Sequence, residues 1–118
     1  MDEVSIYDLS KTTKDFIINL IIRIDNLLEE IRGAKRQEIF SYSGVLLILE
    51  DFSILAESIN IIGQENSSIT LEEFMEKLNI LYESIKDKDE LMFVDVLEFE
   101  IRPLLEYWEQ VIKFTGHN

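Results

Sequence analysis

Few side chains of this chain could carry out chemistry, because it contains no cysteine and a single histidine. The lack of thiols excludes a disulfide framework, a thiol nucleophile and a thiolate metal or iron–sulfur site. The one histidine, His117, is the penultimate residue, where chains usually fray, so we do not expect it to act as a base or a metal ligand. A serine triad would need that same histidine. The sequence therefore predicts no catalytic residue.

The acidic residues also fail to form a recognisable site. Asp87-Lys88-Asp89 has the start of a calcium loop, but Leu91 and Met92 occupy the positions that need an oxygen ligand and a glycine. Glu98 and Glu100 point to different faces of a helix and cannot act together as acid and base. There is no glycine-rich phosphate loop and no Glu-x-x-His pair for a di-iron bundle. We predict no cofactor, no metal and no enzymatic activity.

The charge of the chain is strongly negative and uneven. It has 24 acidic and 11 basic residues, a net charge of −13, of which residues 1–36 carry −1 and residues 37–118 carry −12. Such a surface repels phosphate, so we predict no binding to nucleic acid or to an anionic membrane. Two interpretations remain: the acids keep an apolar chain in solution, or they attract a basic partner.

Length and composition fit one domain over residues 1–118. The mass of 13.9 kDa and an apolar content of 47% suffice for a single core. The two most apolar stretches are interrupted by charges and never reach the roughly 18 uncharged residues of a membrane span. The chain opens with acidic residues, unlike the basic start of a secretion signal. We therefore predict a cytoplasmic protein.

Four segments have the apolar periodicity of helices and are separated by three short breaks. They cover about Leu9–Arg32, about Lys35–Ile62, residues 71 to about 86, and residues 90 to about 114. Short connections favour antiparallel neighbours. The predicted fold is all-α, a single four-helix up-and-down bundle.

Two local signals refine this prediction. Thr70 and Glu73 have the spacing of a capping box at the start of the third helix, and Ile69 and Phe74 occupy the hydrophobic-staple positions around it. Pro103 lies inside the fourth segment, where it removes a backbone donor and clashes with the preceding turn. We expect the last helix to be kinked near Pro103.

The second and fourth helices each carry a second apolar stripe opposite the expected core stripe, whereas the first and third bury one face each. The stripe residues are Leu47, Ile54 and Ile61 on the second helix and Met92, Val96, Phe99, Tyr107 and Phe114 on the fourth. Either these helices are central in an irregular monomer, or the stripes contact another chain. We predict that Ile54→Asp or Phe99→Asp lowers association without unfolding the monomer.

The segment Leu91–Ile112, which reads LMFVDVLEFEIRPLLEYWEQVI, resembles the C-terminal part of small, uncharacterised, acidic helical proteins from low-GC Gram-positive bacteria. It covers about a fifth of the chain. The resemblance implies a bacterial helical bundle and supplies no activity, cofactor or site residue.

The sequence thus leads to two hypotheses on function. The first is a non-enzymatic interaction module, chaperone-like or adaptor-like, that binds a protein partner or forms a homodimer through the second stripes. The second is an acidic regulator that binds a basic protein, or its nucleic-acid-binding surface, by charge. Salt separates them, because binding by charge weakens steeply with ionic strength and apolar binding does not.

Overall fold

A computed structural model describes residues 3–33, 40 and 43–112 of the chain. These residues form α1 (Glu3–Arg32), α2 (Ser43–Ile62), α3 (Leu71–Lys86) and a fourth helical stretch. The fourth stretch consists of α4 (Glu90–Val96), a π-helical turn (Leu97–Ile101) and α5 (Arg102–Val111), which follow one another without a break. No β-strand occurs within the described ranges. The prediction of an all-α four-helix bundle is confirmed.

The helices pack as a closed ring of neighbours. α1 contacts α2 on one side and α5 on the other, and α3 contacts α2 and α4. Side-chain ion pairs link α1 to both of its neighbours: Arg23 with Asp51 on α2, and Arg32 with Glu98 and Asp25 with Arg102 on the fourth stretch. The last two pairs show that the fourth stretch runs antiparallel to α1. The bundle measures 49 × 23 × 20 Å, and the 30 residues of α1 extend along most of its length, about 45 Å.

Aromatic side chains occupy the centre of the core. The ring of Phe74 on α3 lies edge-on to Phe52 of α2, with the ring centres 5.9 Å apart, and to Trp108 of α5, at 5.2 Å. All three residues are fully buried. Edge-to-face pairs add about 0.5–1.5 kcal/mol each to the free energy gained by burial. This cluster therefore holds three of the four helical stretches together.

The π-helical turn keeps the fourth stretch in phase with the core. Phe93, Leu97, Ile101 and Leu105 are spaced by four residues and are fully buried. In a regular α-helix each step of four advances about 40° around the axis, so three steps would carry the last residue about 120° away from the core. The π turn, in which the Arg102 N–H donates to the Leu97 carbonyl, contains one extra residue and removes most of this drift.

Pro103 follows this π turn directly, in the first turn of α5. A proline near the start of a helical segment is tolerated because the donor it lacks would not be used there. Prolines and π turns are both common causes of helix bending. The kink near Pro103 stays a prediction.

Two predicted helix boundaries differ from the structure, at the start of α1 and at the end of the fourth stretch. α1 starts at Glu3 and not near Leu9, because small polar residues, Ser10 and Thr13, take buried positions where an apolar residue would have signalled a helix. α2 begins at Ser43; the predicted start near Lys35 lies outside the described residues. α5 ends at Val111, and residues 113–118 are also outside the description.

The capping signal before α3 is only partly realised. Thr70 is the N-cap and has extended backbone angles, but its side chain makes no capping hydrogen bond, so the predicted capping box is wrong. The two staple residues, Ile69 and Phe74, are both buried in the core. Apolar burial on either side of Thr70 therefore fixes the start of α3 without the hydroxyl.

The connection between α3 and α4 combines the end of one helix with the start of the next. The N–H of Asp89 donates to the Ser84 carbonyl at 2.8 Å and that of Lys88 to Ile85 at 3.1 Å, a Schellman pair of bonds. Lys88 lies in the left-handed region, with φ of 56°. The Asp89 side chain then accepts the N–H of Met92 at 3.0 Å and caps α4.

We expect Lys88→Gly to raise the free energy of unfolding by about 1 kcal/mol, because only glycine adopts the left-handed conformation without steric strain. Urea unfolding followed by circular dichroism measures the change. Lys86→Gly is the matched control, because Lys86 is the last residue of α3 and has helical geometry. Glycine at this position should lower the free energy of unfolding by about 1 kcal/mol. A loss of stability in Lys88→Gly would contradict this account of the turn.

Candidate interaction surfaces

Most of the predicted second-stripe residues are exposed. Phe99 is 66% exposed, Leu47 57%, Ile54 54%, Tyr107 46% and Met92 44%. A single exposed apolar side chain is ordinary on a protein surface, but several on one face mark a site of contact. These five residues of the stripes are exposed as predicted, and their role in an interface stays a prediction.

The other three members of the stripes differ. Val96 is 3% exposed and belongs to the core, so its placement on an outer stripe is wrong. It lies one position before Leu97, the first residue of the π turn, and both side chains are buried. Ile61 is half-buried near the end of α2. Phe114 lies outside the described residues.

One surface, which we call the Ile54 face, lies on the side of α2 that adjoins α1. It contains Leu47 and Ile54, which are 57% and 54% exposed. α1 also exposes Ile18 and Ile22, which were not predicted from the sequence. They lie seven and three residues before Asp25, whose partner Arg102 is on α5, so they point outward or towards α5 and not to the Ile54 face. Their spacing of four residues is the signal that could have found them.

The ion pair between Arg23 and Asp51 lies beside the Ile54 face, since Asp51 comes one turn after Leu47 and one turn before Ile54. A small groove beside this pair is lined by residues of both helices, including Leu47 and Glu30. The charges of the pair cancel, but Glu50 and Glu57, the helical neighbours of Ile54, are exposed and form no ion pair within the described residues. The Ile54 face is therefore apolar and has an acidic surrounding.

A second surface, which we call the Phe99 groove, lies between α3 and the fourth helical stretch. Its apolar part consists of Phe99, Pro103 and Tyr107, with Leu104 beneath, and its polar edge of Glu73, Lys77 and Glu100. Phe99 belongs to the π turn, and Tyr107 lies two turns further along the same side. Met92 lies near the start of α4, about two turns before Phe99. The groove thus presents two exposed aromatic rings beside carboxylates.

The Phe99 groove lies in an acidic surrounding. The Lys77 ammonium donates to a Glu100 carboxylate oxygen at 2.8 Å, which compensates one charge. Glu73, Glu76 and Asp95 are exposed and form no ion pair within the described part of the chain. With Glu100 and Lys77 these residues give a local net charge of −3. The Phe99 groove therefore combines exposed aromatic rings with a net negative charge.

A guanidinium group holds the fourth stretch in position against α1. Arg102 donates through Nε and Nη2 to the two carboxylate oxygens of Asp25, at 2.6 and 2.9 Å, and also contacts Glu106. These hydrogen bonds, and then the positive charges of Arg102 and Arg32, hold the pKa of Asp25 below its usual value against the opposing effect of burial. Because Arg102 is engaged in this way, it is turned towards α1 and leaves the Phe99 groove without an arginine.

Neither a metal site nor a membrane span is found in the described ranges. No group of three or more histidine, cysteine, aspartate or glutamate side chains there could hold a metal ion. No described helix combines the length and the apolar character needed to cross a bilayer. Comparison of the chain with protein-family models, curated proteins and solved structures finds no match. The resemblance of Leu91–Ile112 to Gram-positive helical proteins stays a prediction.

Proposed function

We propose that this protein is a non-enzymatic cytoplasmic interaction module of a bacterium, and that it self-associates through the Ile54 face. The single observation that supports this most is the exposure of Leu47 and Ile54, both more than half exposed, beside the groove between α1 and α2. Burying such side chains against another chain gains about 25 cal/mol for each square ångström removed from water.

The test is the mass of the protein in solution. We expect sedimentation equilibrium to give twice the chain mass of 13.9 kDa at high concentration. Ile54→Asp should weaken self-association at least about tenfold, because the interface would bury an unpaired carboxylate. The circular dichroism of the variant should not change, since Ile54 is more than half exposed.

Asn60→Asp is the matched control for this experiment. Asn60 is exposed on the same helix but points away from α1, so the same added charge should leave association unchanged. A wild-type chain that stays monomeric at high concentration contradicts the proposal. So does a loss of helicity in Ile54→Asp, because it would place Ile54 in the core.

A second candidate function is an acidic regulator that binds a basic protein by charge. The net charge of −12 over residues 37–118 favours it. Binding of this kind should weaken strongly as ionic strength rises, since exposed charges are screened over about 10 Å at 0.1 M salt. A partner held on an apolar surface should show little salt dependence.

A further inference from the structure

We propose that the Phe99 groove binds a basic amphipathic helix of a partner protein. This inference rests on the proposed function, since it treats the exposed apolar surfaces as binding surfaces, and it names the partner class for the second of them.

The apolar part of the groove suits the apolar stripe of a helix. Phe99 and Tyr107 lie two helical turns apart and are 66% and 46% exposed, with the ring of Pro103 between them. Side chains at positions i, i+4 and i+7 of a bound helix cover a stretch of similar length, about 10 Å. The π turn carries Phe99, and such turns recur at functional sites because they displace a side chain from the regular helical pattern.

The charge around the groove selects a basic partner. Glu73, Glu76 and Asp95 have no ion pair within the described residues, and only Lys77 offsets the local charge by pairing with Glu100. Lysine or arginine side chains flanking an apolar stripe would meet these carboxylates. They would also reach the faces of Phe99 and Tyr107, where a cation gains about 0.5–2 kcal/mol from the ring.

A second copy of the chain is the poorer occupant of this groove. Pairing two such grooves would bring together two acidic surfaces of local charge −3, and like charges in contact oppose association. A basic helix meets no such repulsion and is therefore the occupant that this groove favours.

The experiment uses the full chain and a fluorescent synthetic helical peptide of about 18 residues, about five turns, with leucines on one face and lysines on the other. Fluorescence anisotropy measures its binding. Two further peptides separate the contributions: one keeps the lysines and replaces the leucines with serine, and the other keeps the leucines and replaces the lysines with glutamate. We expect the first peptide to bind at least about tenfold more tightly than either control.

Variants of the chain locate the binding site. Phe99→Ser should weaken binding of the leucine–lysine peptide at least about tenfold, with unchanged circular dichroism. Leu46→Ser is the matched control, because Leu46 is 62% exposed on α2, away from the groove, and should leave binding unchanged. The double variant Glu73→Gln with Asp95→Asn should bind more weakly and with a smaller dependence on salt.

Several results would overturn the proposal. If Phe99→Ser bound the leucine–lysine peptide as tightly as the wild-type chain does, the Phe99 groove would not be the binding site. If the peptide with serines bound as tightly as the leucine–lysine peptide, charge alone would account for the interaction. If the peptide with glutamates bound as tightly, the partner would not need to be basic. Dissociation of a dimer by Phe99→Ser would make a second copy the occupant. A strictly monomeric chain that still binds the peptide at Phe99 would instead contradict only the self-association proposed above.

Discussion

Phe74→Ala is expected to lower the free energy of unfolding by about 3–5 kcal/mol, the usual effect of removing a fully buried phenylalanine ring. Phe74 lies between Phe52 and Trp108 and contacts both rings edge-on. The substitution loses the buried ring, leaves a cavity and removes two aromatic pairs at once. Since domains of this size are stable by about 5–15 kcal/mol, this loss is a large part of the total stability.

The fluorescence of Trp108 is a direct measure of this effect. It is the only tryptophan of the chain, it is fully buried, and it contacts Phe74. Its emission should shift to longer wavelength at a lower urea concentration in Phe74→Ala. The matched control is Met75→Ala, the next residue of α3 but 40% exposed, which should change stability by less than about 1 kcal/mol. Similar effects of the two substitutions would contradict the placement of Phe74 at the centre of the core.

Gly63→Ala is expected to lower the free energy of unfolding by about 1–3 kcal/mol, through steric overlap in a packed site. A methyl group on Gly63 would lie 2.9 Å from the Ile69 carbonyl oxygen and 3.0 Å from that of Ile59. Both contacts are with backbone atoms, which cannot rotate away as a flexible side chain could. Gly63 therefore lets the loop between α2 and α3 return closely over the end of α2.

Gly33→Ala provides the comparison, because Gly33 also follows the last residue of a helix. A methyl group there would have its nearest neighbours at 3.7 and 3.8 Å, which is ordinary contact. The substitution should leave stability unchanged or raise it by up to about 1 kcal/mol, since alanine restricts the unfolded chain. Thermal unfolding of the two variants checks the difference. A stable Gly63→Ala protein would show that the loop is free to move away.

The number, type and order of the helices could be predicted from the sequence because apolar periodicity over 16 or more residues is a strong signal. The end of α1 at Arg32, the end of α2 at Ile62 and the range of α3 agree with the prediction. The early start of α1 could not be found in this way, because Ser10 and Thr13 are buried and polar. Packing among the helices, and not local sequence, decides such positions.

The candidate surfaces were predictable in part. An α-helical wheel places Leu47, Ile54 and Phe99 opposite the core, and these residues are exposed. The same wheel fails for Val96, because it assumes 3.6 residues in every turn and the fourth stretch contains a wider turn. It also could not show that Leu47 lies beside α1, since only the packing of the two helices brings it to the groove between them.

The wider turn at Leu97–Ile101 makes the fourth stretch one residue longer than a regular helix of the same height would need. Deleting one residue from this turn would bring the buried residues before and after it to spacings of three and four. This is the spacing of apolar residues along the buried face of an uninterrupted α-helix. The same deletion in the middle of α3 would rotate half of that helix out of the core. Length variation in this protein should therefore be tolerated at this turn, where it alters the outward-facing aromatic surface and leaves the interior intact.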